Sequence, residues 1–197
     1  MGPQVPLRAR QGPRARRACA PLRASMQVSV NRAPVLTLWA AVVAERLGFD
    51  RDEALTMGRV VAGLNAYAKG KSLGLFTPAP EEVRTQRQRL AAGRQMRVGL
   101  LHRAVPVMQT AEGLRALAQD KPIAPVSVQR YLEAKFGDAL PAVEEAMLDL
   151  ARSLPTDELE RRAYELYEGF RPEVPAGTRG WGVAGVLDLA RIRAAAG

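Results

Sequence analysis

Cysteine and histidine are almost missing from this 197-residue chain, which has one of each, Cys19 and His102. One cysteine excludes an internal disulfide framework, and the two residues together are too few for a zinc cluster of cysteine and histidine ligands. A cysteine–histidine or serine–histidine catalytic pair would have to use the single imidazole. We therefore predict no metal site, no cofactor and no catalytic residue, and we expect a protein that is not an enzyme.

Long apolar runs and aromatic side chains are also scarce. Phe, Trp and Tyr together make up 5% of the chain. The charge-free run from Ala33 to Ala44 is shorter than the roughly 18 to 20 apolar residues that a membrane helix needs. The sequence therefore predicts no membrane span, no membrane partner and a cytoplasmic protein.

Positive charge is what the sequence has in excess. Lys and Arg outnumber Asp and Glu by 29 to 20, which gives a formal net charge of +9. Six arginines and no acidic residue fall in residues 1–25, so the chain from Met26 onward carries only +3. Within that remainder the positive charge peaks between Arg84 and Arg103, and the second half is slightly acidic. A polarised basic surface is typical of proteins whose partner is nucleic acid.

The first 25 residues are rich in proline, arginine and alanine and lack hydrophobic periodicity, which predicts a disordered basic tail. Three interpretations of this tail are open. It is a basic arm that contacts phosphates, an arginine-rich targeting peptide, or a segment outside the natural protein. We favour the third, because Met26 stands immediately before the first patterned segment. Residues 26–197 are then expected to form a single domain.

The most apolar stretch, residues 33–76, predicts two helices joined by a tight turn. Apolar residues recur at spacings of three and four until Gly48, which suits the C-terminus of a helix. Asp50 can cap the second helix, since its side chain accepts hydrogen bonds from the first backbone amides. Two interior glycines, Gly58 and Gly63, would let a neighbouring helix approach closely.

The rest of the chain predicts more helices and a small β-hairpin. Residues 27–30 alternate polar and apolar side chains, as a very short strand does. Residues 96–108 read as two strands with a turn near His102, and Pro106 would restrict the second strand to a sheet edge. The fold class is therefore mainly α, a compact helical domain of about seven helices with a small β-hairpin. The later helices are predicted to begin near residues 77, 110, 128, 138, 156 and 186, and those near 138 and 156 to form a second antiparallel hairpin.

The helix predicted over residues 77–92 carries the best candidate contacts to nucleic acid. Its arginines project within roughly 80° of one another at 100° per residue, and glutamines surround them. Guanidinium groups make forked hydrogen bonds to phosphate oxygens, so this combination is typical of phosphate contacts. The same residues are also good helix formers for a solvated helix face.

Two glycine-containing segments add further basic residues. The segment from Lys69 to Gly74 is either a loop that cradles a phosphate or a helix C-terminus where cations favour the dipole. Residues 180–185 match G-x-G-x-x-G, but prolines precede them and the chain ends too soon for the distal acidic residue of a dinucleotide site. The candidate nucleic-acid-binding residues are Arg84, Arg87, Arg94, Lys69, Lys71 and Arg179.

Two segments, VNRAPVLTLWAAVVAERLGFDRDEALTMGR and FRPEVPAGTRGWGVAGVLDLARIR, resemble a group of bacterial proteins of uncharacterised function. The resemblance covers residues from about Met26 to the end and implies no activity, cofactor or catalytic residue. In arrangement only, the opening helix pair is similar to the helix-two-turn-helix modules of ribosomal and DNA-repair proteins. The glycine-flanked turn of those modules is missing, so no residue role is carried over.

Together these patterns predict a non-enzymatic nucleic-acid-binding protein that contacts DNA or RNA through phosphates. Charge neutralisation releases counterions, so binding would have weak sequence preference and strong salt dependence. The alternative is a protein–protein interaction domain that uses its helical grooves. Exposed apolar patches would favour that alternative.

Overall fold

The computed structural model describes residues 26–75, 96–178 and 183–195, together with Glu82. None of the helices in this part of the chain is both long enough and apolar enough to cross a membrane. The elements, in chain order, are β1 (Gln27–Val30), α1 (Arg32–Arg46), α2 (Arg51–Ser72), β2 (Met96–Leu100), β3 (Arg103–Thr110), β4 (Gly113–Ala118), β5 (Lys121–Pro122), α3 (Pro125–Phe136), a 3-10 turn (Gly137–Ala139), α4 (Leu140–Arg152), α5 (Thr156–Phe170), β6 (Gly185–Asp188) and α6 (Leu189–Ala194).

The prediction of about seven helices with a small β-hairpin is wrong, because the described residues contain six strands in two sheets. One sheet pairs β1 with β6, and the other has the order β2-β3-β4-β5, with every neighbouring pair antiparallel. The helix predicted near residue 110 is the β3–β4 hairpin, and the helix predicted near residue 186 begins as β6. Short apolar segments fit a period of two as well as a period of three to four, and the partner strands decide between them.

The two predicted helices of the apolar stretch are confirmed as α1 and α2. Every residue of α1 from Pro34 to Ala44 is buried, so this helix is surrounded by protein on all sides. The indole Nε1 of Trp39 donates to the carbonyl oxygen of Ala163 in α5 at 2.7 Å. The Trp39 ring meets Phe170 edge-on at 5.3 Å between centroids. These contacts make α1 the centre of the core.

The later helices are arranged around α1. Helices α4 and α5 both pack against α1 and against α6. They do not lie along each other as the predicted second hairpin would. Helices α3, α4 and α5 fall where the sequence predicted helices, and Gly137 ends α3 with a φ of +53°. The helix predicted over residues 77–92 lies outside the described ranges.

The predicted strand pair of residues 96–108 is confirmed as β2 and β3, but the sheet continues beyond it. Strand β3 lies between β2 and β4, so the expectation that Pro106 marks a sheet edge is wrong. The β3–β4 register ends at Val107 opposite Ala116. Pro106, which has no amide hydrogen, therefore lies one residue beyond the end of that ladder. Its missing amide hydrogen costs no hydrogen bond between β3 and β4.

Side chains of α2 take over as partners for the far side of β4. Glu53 Oε1 accepts a hydrogen bond from the Leu114 amide at 2.8 Å, and Thr56 Oγ1 accepts one from the Ala116 amide at 3.0 Å. The other carboxylate oxygen of Glu53 accepts from the Asp50 amide at 3.3 Å. This bond is one half of a capping box in which Asp50 is the N-cap of α2, as predicted. Helix α2 is thus fixed to the sheet by hydrogen bonds as well as by apolar packing.

Candidate functional site

A groove of about 630 Å³ lies between α2, α3 and the end of the four-stranded sheet, and we call it the α2–α3 groove. Helix α2 forms one wall and α3 the facing wall, while β3, β4 and the segment after β5 form the floor. Most of its lining side chains are apolar. The apolar side chains that define it are Val60, Leu64, Pro106, Leu117, Ile123 and Val128.

Gly63 keeps the α2 wall of the groove recessed. A Cβ atom at this position would meet nothing within 4 Å. Gly58, earlier in α2, has no such space, because it faces α1. Gly58 and Gly63 therefore have different roles, and only Gly58 allows the close helix approach that the sequence predicted.

Arg59 brings a positive charge to the groove. Its guanidinium carbon lies over the ring of Tyr131, 4.5 Å from the ring centroid, within the range of a cation–π interaction. Arg59 forms no ion pair with any residue in the described ranges. It is held in place by an aromatic face rather than by a carboxylate, so its charge is not neutralised locally.

Burial raises the pKa of Tyr131, and the neighbouring charge of Arg59 opposes that rise. The Tyr131 phenol is therefore neutral at physiological pH. Gln119 and Ser127 add neutral hydrogen-bonding groups at the groove. Among the described lining residues there is no carboxylate, imidazole, thiol or lysine.

The rim of the groove includes the turn between β4 and β5. Gln119 and Asp120 both have positive φ, at 51° and 63°. Two consecutive left-handed residues between paired strands fit a tight hairpin turn, which favours Asn-Gly or Asp-Gly. The turn is thus built without the glycine that its second position favours, and Gln119 from this turn lines the groove.

A second polar cluster ties the β2–β3 turn to two helices. Asn65 Oδ1 in α2 accepts from Arg103 Nη2 at 3.0 Å and from the Tyr164 hydroxyl at 3.3 Å. The ring of His102 lies 6.4 Å from that of Tyr164. Burial is the main reason that the pKa of Tyr164 is raised, and the nearby carboxylate of Glu168 raises it further. These side chains hydrogen-bond to or contact one another, so the cluster has a structural role in joining the turn to the two helices.

Arg115 is another charged side chain that is engaged by neighbouring protein groups. Arg115 is 5% exposed, and it donates to the carbonyl oxygens of Leu114 and Glu112. It also lies 3.7 Å from a carboxylate oxygen of Asp52. No group of three His, Cys, Asp or Glu side chains suited to a metal ion occurs among the described residues.

The predicted nucleic-acid-binding residues fall into two groups. Lys69 and Lys71 are exposed in the last turn of α2. They belong to the helix, which continues to Ser72, and not to a loop. The other four predicted residues lie outside the described ranges, and they are Arg84, Arg87, Arg94 and Arg179.

The charge of the described residues is balanced. Apart from Glu82, they include eighteen Lys and Arg and eighteen Asp and Glu. The excess of positive charge therefore belongs to residues 1–25, to residues 76–95 and to Arg179. Any strong electrostatic attraction to nucleic acid must come mainly from those residues.

Sequence reasoning missed the groove. Arg59 and Tyr131 are far apart in the chain, and each looks like an ordinary helix residue within its own helix. Gly63 was the available signal, since a glycine inside a helix costs roughly 1 kcal/mol relative to alanine and so calls for a local reason.

No protein-family model, curated protein or solved structure matches the chain.

Proposed function

We propose that this chain is a non-enzymatic binding protein and that the α2–α3 groove holds its ligand. The observation that carries this proposal is the groove itself. Its volume of about 630 Å³ falls within the roughly 300–1,000 Å³ of small-molecule sites, which combine apolar walls with a few convergent polar groups. Its described lining residues include no carboxylate, imidazole, thiol or lysine to act as a general base, and the raised pKa of Tyr131 keeps that phenol neutral, which favours binding over catalysis.

The size of the groove favours a small molecule over a protein partner. A stable protein–protein interface covers about 800 Å² on each partner, and a groove of this volume accommodates a molecule of drug size. We therefore place the protein-interaction alternative behind small-molecule binding.

The test is binding of a neutral apolar reporter, N-phenyl-1-naphthylamine, whose fluorescence rises in apolar surroundings. We expect saturable binding to the full-length chain. Gly63→Leu should abolish it, because the new side chain would occupy the groove. The matched control is Gly169→Leu in α5, where an added Cβ also meets nothing within 4 Å but where no wall of the groove is affected. Equal binding by both variants would exclude the groove as the site.

Nucleic-acid binding is our second candidate function. It is favoured by the charge distribution: residues 76–95 contain four arginines, and exposed Lys69 and Lys71 precede them. The contacts would be made by Arg84, Arg87 and Arg94 with Lys69, Lys71 and Arg179. Binding would be to phosphates, with little sequence preference.

The second candidate is tested by fluorescence anisotropy with duplex DNA and structured RNA, between about 50 and 200 mM salt. We expect Arg84/Arg87/Arg94→Ala to weaken binding and to reduce the slope of log K against log salt by about 2 to 3, since each phosphate contact contributes about 0.9 on duplex DNA. Replacing three exposed arginines elsewhere, Arg130, Arg152 and Arg161, is the control for net charge. Equal effects of the two triple variants would contradict a specific basic site.

A further inference from the structure

We infer that the ligand of the α2–α3 groove is a small molecule with an apolar body and one carboxylate, and that Arg59 binds this carboxylate. The inference rests on the proposed binding function and adds the chemical class of the ligand. It depends on the position of one charge within a mostly apolar lining.

Arg59 brings a permanently charged group of hydrogen-bond donors to the groove. A guanidinium group has five N–H donors and no acceptor, and it stays charged in proteins. In the described residues its neighbour is the ring of Tyr131, at 4.5 Å, and no carboxylate pairs with it. The aromatic ring positions the group without neutralising it, so an anion that enters the groove meets a placed and unpaired charge.

The groove lining matches the shape of a ligand that is apolar along its length and anionic at one end. Guanidinium donors form two parallel hydrogen bonds to the oxygens of a carboxylate or a phosphate. The apolar side chains that line the groove together with Arg59 include Val60, Leu64 and Val128, which offer contacts to an apolar body but no further charge. A molecule that is apolar along its length and anionic at one end complements both features.

The number of positive charges in the lining distinguishes a carboxylate from a phosphate. Among the described lining residues, Arg59 is the sole Lys or Arg. One positive charge balances a monoanion, whereas a phosphate monoester carries close to two negative charges at neutral pH. The groove therefore fits a carboxylate better than a phosphate.

The experiment is displacement of N-phenyl-1-naphthylamine from the full-length chain by three ligands with the same alkyl chain: decanoate, decanol and decyl phosphate. We expect decanoate to displace the reporter at a concentration about tenfold or more below that of decanol, as a hydrogen bond to a charged group implies. Decyl phosphate should be weaker than decanoate. A decisive preference for decyl phosphate would overturn the carboxylate assignment.

The role of Arg59 is tested with matched variants. Arg59→Met should remove the preference for decanoate over decanol, measured as the ratio of their displacing concentrations in the same variant, because hydrogen bonds to the charged head group are the part that is lost. Arg59→Lys should restore part of the preference, since it keeps the charge but not the fork. Arg130→Met removes an exposed charge from α3 outside the groove, and it should leave the preference intact.

The outcomes separate the two levels of the argument. If the reporter binds and Gly63→Leu blocks it, but decanoate and decanol compete equally, the binding function stands and the inference falls. If Arg59→Met keeps the preference, the carboxylate is bound elsewhere and the inference also falls. If the reporter does not bind at all, both the proposed function and the inference fail.

Discussion

A Cβ atom added to Gly58 in α2 would lie 2.3 Å from the carbonyl oxygen of Thr37 in α1, and 3.0 Å from the amide nitrogen of Ala41. The two helices therefore cross with backbone against backbone, and no side chain fits between them at that point. This close crossing is one reason that α1 is buried all round, because α2 covers it without an intervening layer.

Gly58→Ala should lower the free energy of unfolding by about 1–3 kcal/mol, the usual cost of overpacking. The clash is with backbone atoms of a buried helix, which cannot turn aside as a flexible side chain would. Gly63→Ala is the control within the same helix, and it should raise the free energy of unfolding by up to about 1 kcal/mol because alanine favours helix. Chemical denaturation measures both. Similar stabilities of the two variants would show that the crossing tolerates a methyl group.

Thr56→Val should cost about 1–3 kcal/mol of folding stability, because the Ala116 amide would lose its acceptor inside the protein. Thr56 is fully buried, and its hydroxyl also donates to the Glu53 carbonyl oxygen at 2.8 Å. Thr56→Ser keeps the hydroxyl and should cost less. Amide hydrogen exchange at Ala116 should quicken in the valine variant alone. Equal exchange in both variants would contradict this role of the hydroxyl.

Stability should fall at alkaline pH, and Tyr167 should account for part of the fall. Burial is the largest cause that raises the pKa of Tyr167, and the carboxylate of Glu168 adds to it. An unfolded tyrosine loses its proton above about pH 10, while the folded state retains it. The contribution is therefore complete below about pH 10 and declines as the pH rises toward the higher folded pKa.

The measurement is the free energy of unfolding between pH 8 and pH 11 for the wild type and for Tyr167→Phe. The phenylalanine variant should be weaker near pH 8 by about 0.5–1.5 kcal/mol, because the hydroxyl donates to the Arg32 carbonyl oxygen at 3.3 Å. Its decline above pH 10 should be shallower. A parallel decline in Tyr167→Phe would refute the assignment.

His102→Gly should raise the free energy of unfolding by about 0.5–1 kcal/mol. The β2–β3 turn holds Leu101 and His102 at φ values of 46° and 58°, a left-handed conformation that costs an ordinary residue about 1–2 kcal/mol. Leu101→Gly relieves the same strain but removes a side chain that is 3% exposed, so it should destabilise. Thermal unfolding compares the two. A loss of stability in His102→Gly would mean that the ring contact with Tyr164 outweighs the strain.

The parts of the fold that the sequence predicted correctly depend on neighbours along the chain. Gly48 has a φ of +98° directly after α1, as a helix-ending glycine does. The capping interaction of Asp50 with Glu53 needs only four consecutive residues. Both signals work because each helix end must satisfy its own backbone groups within one turn.

The parts that it missed depend on partners far along the chain. Strand β6 forms because its residues pair with β1, with Leu187 opposite Val28, and nothing in residues 186–196 indicates that partner. The segment after Thr110 has leucines spaced three apart, which suits a helix, but pairing with β3 and the side chains of α2 made it a strand. Long-range hydrogen bonds override local propensity when both options bury similar apolar area.

Local periodicity and composition are enough to predict the helices of the apolar stretch, the capped start of α2, the short first strand and the excess of positive charge. Tertiary packing decides which glycine contacts a helix and which opens a groove, since Gly58 and Gly63 differ in what packs against them. It also decides that Arg59 lies over Tyr131. That contact depends on the packing of α2 against α3. These two helices are distant in the chain, and no pattern within either of them predicts that they meet.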